Sequence, residues 1–310
     1  MAFIKAFGSY CPPRIVTNDE LAAIVKCEAS WIREVSGIEE RRFAGDEEGV
    51  VDLAIKAAGE CLGRAGLAPA DIGLVIAASG SAPQRFPGPA ALVAHGLGMD
   101  GTPAFDLPMA SAGALFGMHL GSRLAAVHGN VLVVAAEKMS PIALQEPVDK
   151  NTAILFGDGA GACIIGEDGG MAEVLGSRLH SDGTYAGDLR LEFGRPIEMN
   201  GRAVILQASR KIPAVIGEIL STLGSPATAV EVFLMHQANQ NLIVRVARAL
   251  DVAPETFYSN ISRFGNTSSA SMLIAAAERF AASPLPRGGL AVFAAFGAGF
   301  HWGSLAVRGS

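Results

Sequence analysis

Residues 51–78 read VDLAIKAAGECLGRAGLAPADIGLVIAA, and two patterns meet inside them. From Val51 to Ala65 the apolar residues recur at the three- and four-residue spacing of one helix face. Gly66 just past that run and Pro69 soon after are helix stop signals. From Ile72 to Ala78 the apolar residues run on without alternation. A run of that kind marks a strand covered on both faces, as in a sheet with helices on either side. A helix leading into a doubly covered strand predicts an α/β fold.

The pattern recurs along the chain. Val131–Ala136, Val230–Met235 and Leu290–Ala295 read as further buried strands, and Lys211 to Leu223 as another helix. The two halves also read alike. Helix 51–65 and strand 72–78 parallel helix 211–223 and strand 230–235. Helix 90–96 and Ala104-Phe105-Asp106 parallel helix 242–250 and Phe257-Tyr258-Ser259. Ala110-Ser111-Ala112-Gly113 opens a helix reaching about Val127, and Thr267-Ser268-Ser269-Ala270 opens its counterpart. Phe156-Gly157-Asp158-Gly159 is echoed by Phe296-Gly297-Ala298-Gly299. Matching order and matching local residues favour an internal duplication, with halves 1–168 and 169–310. Ligands of α/β folds sit beyond the carboxyl ends of strands. Two related halves about a pseudo-twofold bring equivalent strand ends to one place, which selects Ser111, His236 and Asn266.

Composition narrows the function. Half of the 310 residues are hydrophobic and 17% are charged, which excludes a disordered chain. A formal charge of -6 leaves no basic footprint for nucleic acid. Four cysteines are too few to staple a chain of this length. No apolar stretch approaches the roughly 20 residues of a membrane span, and the opening MAFIKAFG is interrupted too early for a signal peptide. A cytoplasmic protein with reduced thiols, no membrane association and no metal site is the resulting expectation.

The candidate residues each admit a plain reading. Ser111 stands where a strand ends and an apolar helix begins, so its hydroxyl is either an N-cap worth about 1 kcal/mol or a nucleophile at a helix end that favours developing negative charge. His236, in Leu234-Met235-His236-Gln237-Ala238-Asn239, follows a strand and precedes a helix. It is a structural histidine or a general base. Asn266, in Gly265-Asn266-Thr267-Ser268-Ser269-Ala270-Ser271, is a turn residue by default, with Thr267 or Ser268 as an N-cap. Phe296–Gly303 is a glycine-rich turn. It either points backbone N–H groups into a site or is only a tight hairpin.

Taken in order, these segments resemble one family, the β-ketoacyl-acyl-carrier-protein synthase III condensing enzymes. The resemblance rests on Pro13–Leu21, Trp31-Ile32, Ser36–Arg41, Phe156–Ala162, His236–Asn239, Gly265–Ser268 and Phe296–Gly303. It implies a thiolase-like fold of two duplicated β/α halves stacked as five layers, αβαβα. It implies no permanently bound cofactor, acyl-CoA as substrate, acyl carrier protein as a candidate partner, and a homodimer. The family's Cys, His and Asn map onto Ser111, His236 and Asn266, and its oxyanion donors onto the backbone N–H groups of Ser111 and Ala298. Trp31, Lys150, Gly201 and Asn239 fall at substrate-binding positions. Phe86 falls on a loop that in the family reaches across the dimer and limits chain length.

Two departures matter. None of Cys11, Cys27, Cys61 or Cys163 falls at the nucleophile position, and serine stands there instead, as in priming enzymes of aromatic polyketide pathways and related acyltransferases. A serine needs a positioned base where a cysteine thiolate does not, so the resemblance implies a Ser111–His236 pair. Acyl-CoA-dependent transfer or chain-priming condensation through an acyl-serine is the leading expectation. Ordinary decarboxylative condensation, ester hydrolysis and a non-catalytic acyl-binding subunit are the alternatives. At the tunnel entrance, Val35, Lys150 and Asn241 stand where the family has arginines, with Arg33, Arg202 and Arg245 near in sequence.

Overall fold

The computed structural model describes residues 1–310. Its organisation follows from the unalternating strands. In Val131–Ala136 the side chains of Val131, Val133 and Ala135 enter one hydrophobic cluster, while Leu132, Val134 and Ala136 enter a second on the opposite face. Ala291, Phe293 and Ala295 likewise join the first cluster, and Val292, Ala294 and Phe296 join a third. Every side chain of such a strand is buried, so no polar position interrupts the run.

The main sheet has nine strands: β1 Phe3–Tyr10, β2 Ile72–Ala78, β3 Ala104–Leu107, β4 Asn130–Glu137, β5 Gly159–Gly166, β6 Ala172–Ser181, β7 Val230–Met235, β8 Leu290–Gly297 and β9 His301–Gly309. Their order is β7-β8-β9-β6-β1-β5-β4-β2-β3. Two sets with one plan are visible in it. β3, β2 and β4 run parallel, then β5 and β1 follow antiparallel. β7 and β8 run parallel, then β9 and β6 follow antiparallel. Phe257 makes an isolated parallel bridge to Phe233 at the place β3 holds in the first set. The sets join at one edge, where Phe3 and Ile4 of β1 pair with Glu173 and Ala172 of β6.

Seven helices matter here: α1 Ala29–Ser36, α2 Val50–Ala65, α3 Pro89–Gly96, α4 Gly113–His128, α5 Gly201–Leu223, α6 Gln240–Ala249 and α7 Ser271–Ala282. The clusters place them in layers. α4 and α7 lie between the two sets of strands, α2 and α3 cover the outer face of the first, and α5 and α6 cover the outer face of the second. The result is the five-layer αβαβα stack of the thiolase-like fold. No helix is long and apolar enough to cross a membrane.

The sequence places strands 72–78 and 230–235 at their observed ends, and the other predicted elements shift by one to three residues. One differs more. The helix expected over 211–223 begins at Gly201, with the Asn200 side chain accepting from Ala203 N–H. Pro213 lies inside it, and the contiguous Ala203-Val204-Ile205-Leu206 blurs the helical period of the first turns. β1, β5, β6 and β9 were not among the predicted strands. β5 carries Gly159, Gly161 and Gly166, which remove the apolar signal while serving the packing. A Cβ on Gly161 would stand 2.5 Å from Leu273 Cβ and 2.9 Å from Ile274 N, so α7 rests directly on the strand backbone. Gly161→Val is therefore expected to destabilise the protein by about 1–3 kcal/mol through overpacking. Urea unfolding followed by circular dichroism would measure it, and an unchanged midpoint would contradict the packing described.

Candidate active site

Ser111 lies on the turn between β3 and α4, two residues before the helix starts. The N-cap position is Ala112 and no side chain caps it, so the plain capping role does not hold for Ser111. Its φ is +58°, in the left-handed region that costs a non-glycine residue about 1 kcal/mol or more. Two contacts hold it there. The Ser111 N–H donates to Ser268 Oγ at 3.1 Å. Gly297, at the end of β8, packs on the turn so closely that a Cβ there would stand 2.9 Å from Ser111 Cβ and Ala112 N, and closer still to the Ala110 carbonyl.

His236 follows β7 and is buried. Its Nδ1 lies 2.6 Å from Ser271 Oγ, the first residue of α7, and the same oxygen accepts the Gln237 N–H at 3.0 Å. Burial with no charged partner pushes the ring's pKa down to about 4. Gln237 is a scaffold residue: its Nε2 donates to the Met235 and Tyr258 carbonyls, and its Oε1 accepts from Asn260 N–H.

Asn266 is tied to the first half of the chain. Its N–H donates to the Leu155 carbonyl at 2.8 Å, and its carbonyl accepts from Gly157 N–H at 3.1 Å. Its Oδ1 accepts the Ser268 N–H at 2.8 Å, which leaves Nδ2 as the free end of the side chain. Thr267 stands at the N-cap of a 3₁₀ turn but its hydroxyl makes no capping bond, and neither it nor Ser268 caps α7. α7 starts at Ser271, a short 3₁₀ turn spans Ser268–Ala270, and the Ser268 hydroxyl is engaged by Ser111 instead.

These residues meet. Ser111, His236, Asn266, Asn239, Gly201 and Gly297 line one cavity of about 100 Å³, whose remaining wall is largely apolar. Val204, Ile205, Ala208 and Ile212 of α5 contribute to that wall, so the helical turns missing from the sequence reading are the ones that shape the site. Asn239 has structural duties as well. Its Oδ1 accepts the Asn241 and Leu242 N–H groups, and its Nδ2 donates to the Val35 carbonyl. Ala298 lies in the turn joining β8 to β9, a tight hairpin as well as a neighbour of the site, but Gly297 rather than Ala298 lines the cavity.

Other expected residues lie elsewhere. Lys150 Nζ stands 5.3 Å from the Trp31 ring centroid, so these two form a pair of their own. Asn241 Nδ2 donates to the Glu34 and Val35 carbonyls, capping the end of α1. Arg33 pairs with Glu39 at 3.0 Å, and Arg202 and Arg245 are exposed. Phe86 is 85% exposed on the loop that borders a second, larger cleft of about 720 Å³, which Ser111 does not line.

Sequence reading missed the supports behind these groups. Glu137 is fully buried and accepts hydrogen bonds from Ser81 Oγ at 2.5 Å, Ser269 Oγ at 2.6 Å and the Gly80 N–H at 3.1 Å. It joins the loop after β2 to the loop before α7. Ser268, Ser269 and Ser271 each make a separate long-range contact, and their only sequence signal was a run of serines. None of the four cysteines lines the Ser111 cavity, and burial pushes the Cys11 and Cys61 thiols up to about 12 and Cys163 well above its usual range. No three His, Cys, Asp or Glu side chains converge as metal ligands.

The chain is similar to known proteins over almost its whole length. Residues 105–183 match the family model described as 3-oxoacyl-[acyl-carrier-protein] synthase III, and residues 220–309 match its C-terminal model. The β-ketoacyl-[acyl-carrier-protein] synthase III of Desulfotalea psychrophila is 35% identical over 98% of both chains. The solved Aquifex aeolicus 3-oxoacyl-[acyl-carrier-protein] synthase III superimposes with a TM-score of 0.95 at 34% identity, covering 99% of this chain and all of that one. The priming β-ketosynthase of the R1128 polyketide pathway superimposes at 0.93 with 29% identity, covering 99% and 96%.

The buried ring makes a direct prediction. His236 gains a charge only as pH falls toward about 4, well below the usual histidine range near 6.5. The folded pKa is depressed, so protonation costs stability in the window between those values and below. NMR titration of the ring should give no inflection near pH 6.5; a normal titration there would contradict the burial.

Proposed function

The chain belongs to the β-ketoacyl-[acyl-carrier-protein] synthase III family of thiolase-like condensing enzymes, and from that premise we propose that it transfers an acyl group from acyl-CoA through an ester on Ser111. The observation that carries the reading is the meeting of Ser111, His236 and Asn266 on one apolar-walled cavity.

The chemistry runs in two stages. The Ser111 hydroxyl gives its proton to His236 Nε2 as Oγ attacks the thioester carbonyl. Accepting that proton takes a neutral ring with its lone pair on Nε2, and burial disfavours the charged form. The Ser111 and Ala298 N–H groups are the proposed donors to the tetrahedral oxyanion. Because the Ser111 N–H donates to Ser268 Oγ, a substrate carbonyl taking that donor displaces the serine hydroxyl. The C–S bond then breaks, CoA thiolate recovers the proton from His236, and an ester remains on Ser111. In the second stage an acceptor attacks this ester and restores the serine. The acceptor is an oxygen, nitrogen or sulfur nucleophile. Alternatively it is the carbanion released when a malonyl thioester loses carbon dioxide, with Nε2–H and Asn266 Nδ2 facing the enolate oxygen.

The proposed entry of the substrate passes Trp31 and Lys150, with Gly201 and Asn239 along the way. Lys150 is the one cation kept at the family's arginine positions, which argues for a weaker hold on CoA phosphates or an acidic carrier. A homodimer with the Phe86 loop at its seam is part of the same reading.

Incubation with acyl-CoAs of graded length, followed by intact mass spectrometry, tests the proposal. An adduct of acyl mass on the wild type and none on Ser111→Ala is expected. His236→Ala should slow adduct formation about 10²- to 10⁴-fold, the usual contribution of a general base. Absence of any adduct with unchanged turnover in Ser111→Ala would refute it. Release of free acid without acceptor would identify a hydrolase, and a 3-ketoacyl product with malonyl-carrier would identify condensation.

A further inference from the structure

We propose that Ser271 is a positioning residue that fixes which nitrogen of His236 carries the proton, holding it at Nε2, and that this sets the balance between the two stages. The inference rests on the acyl-serine reading for its consequence but not for its geometry.

Hydrogen-bond bookkeeping at one buried oxygen leads to it. Ser271 is 2% exposed. Its Oγ accepts the Gln237 N–H at 3.0 Å and lies 2.6 Å from His236 Nδ1, and it has no other side-chain or backbone partner. A hydroxyl has one proton to give. A backbone N–H can only donate, so Nδ1 is the acceptor within reach of the Ser271 proton. If Nδ1 carried its own hydrogen, the oxygen would receive two donors and its proton would be buried without an acceptor. An unmade hydrogen bond in a buried place costs more than a made one gains. The Ser271 O–H therefore donates to Nδ1, and the neutral ring keeps its hydrogen on Nε2. Nothing else near the ring opposes this, since no carboxylate touches it and burial is the cause of its low pKa.

Such a ring faces the cavity as a donor. Asn266 does the same, because its Oδ1 is taken by the Ser268 N–H and Nδ2 is left. Two N–H donors suit the enolate oxygen of a decarboxylating malonyl thioester. They do not suit removal of the Ser111 proton, which needs a lone pair on Nε2. That lone pair appears in the form with Nδ1–H, where Ser271 turns from donor to acceptor. A carboxylate at position 271 can only accept and would enforce that second form. A hydroxyl allows both but favours the first. Ser271 thus biases the site toward enolate stabilisation and makes Ser111 acylation the slower stage.

Long-range ¹H–¹⁵N spectra of the ¹⁵N-histidine-labelled full chain read the ring directly, with His236→Gln used only for assignment. The wild type should give the Nε2–H pattern, Ser271→Ala a mixture, and Ser271→Asp the Nδ1–H pattern. Ser271→Thr, which keeps the hydroxyl, should match the wild type. In parallel, the ratio of malonyl-CoA decarboxylation to Ser111 acylation should fall at least about tenfold in Ser271→Asp, within the range a general acid or base contributes. An Nδ1–H pattern in the wild type, or a ratio unmoved in both the alanine and aspartate variants, would overturn the proposal. If a variant does not fold, the wild-type spectrum alone decides. If Ser111 is acylated in no form of the protein, the acyl-serine reading fails, while the ring pattern still answers for Ser271.

Discussion

The hydrogen bond from the Ser111 N–H to the Ser268 hydroxyl spans 157 positions of sequence, and the site depends on it. On one side stands the turn that opens α4; on the other stands the turn that opens α7. Each holds its serine in the left-handed region, at φ +58° and +46°. Neither residue is glycine, so both conformations must be imposed by their surroundings. The bond joins the two turns, and Gly297 packs against the Ser111 turn so closely that a Cβ there would meet it.

Around this contact the two halves are knit by hydrogen bonds rather than by ion pairs. Asn266 is bonded on both sides to Leu155 and Gly157, and Glu137 gathers donors from the loops after β2 and before α7. Glu137 meets no cation in this arrangement; convergent hydroxyl and amide donors satisfy it instead. A buried polar network of this kind fixes geometry when every member is satisfied.

On the proposed acyl-serine route, the serine at position 111 changes what the histidine must do. A thiolate at a helix end needs no base, so a histidine beside it is free to act as a donor throughout. A serine calls on the same ring as an acceptor first. Behind the ring stands the Ser271 hydroxyl, which can give or receive a hydrogen bond and so is compatible with both demands of the proposed route. Asn241 spends its amide on the end of α1, an interaction internal to the protein.

The sequence by itself determined the α/β class, the doubly covered strands and the repeat of elements between the halves. These are properties of local periodicity, and local periodicity is written in neighbouring residues. It also marked Ser111, His236 and Asn266, because each stands at the end of a strand or in a small-residue turn. It could not place β5, whose glycines erase the apolar signal to let α7 approach, nor the first turns of α5, where Val204, Ile205 and Ala208 line the cavity. Only the tertiary structure decided that Ser268 holds the Ser111 N–H, that Ser271 backs the histidine and that Glu137 binds the loops together. A run of serines has one appearance in sequence. Its members acquire separate roles only when chain segments more than 30 residues apart are brought within about 3 Å, the distance at which a hydroxyl must choose a partner.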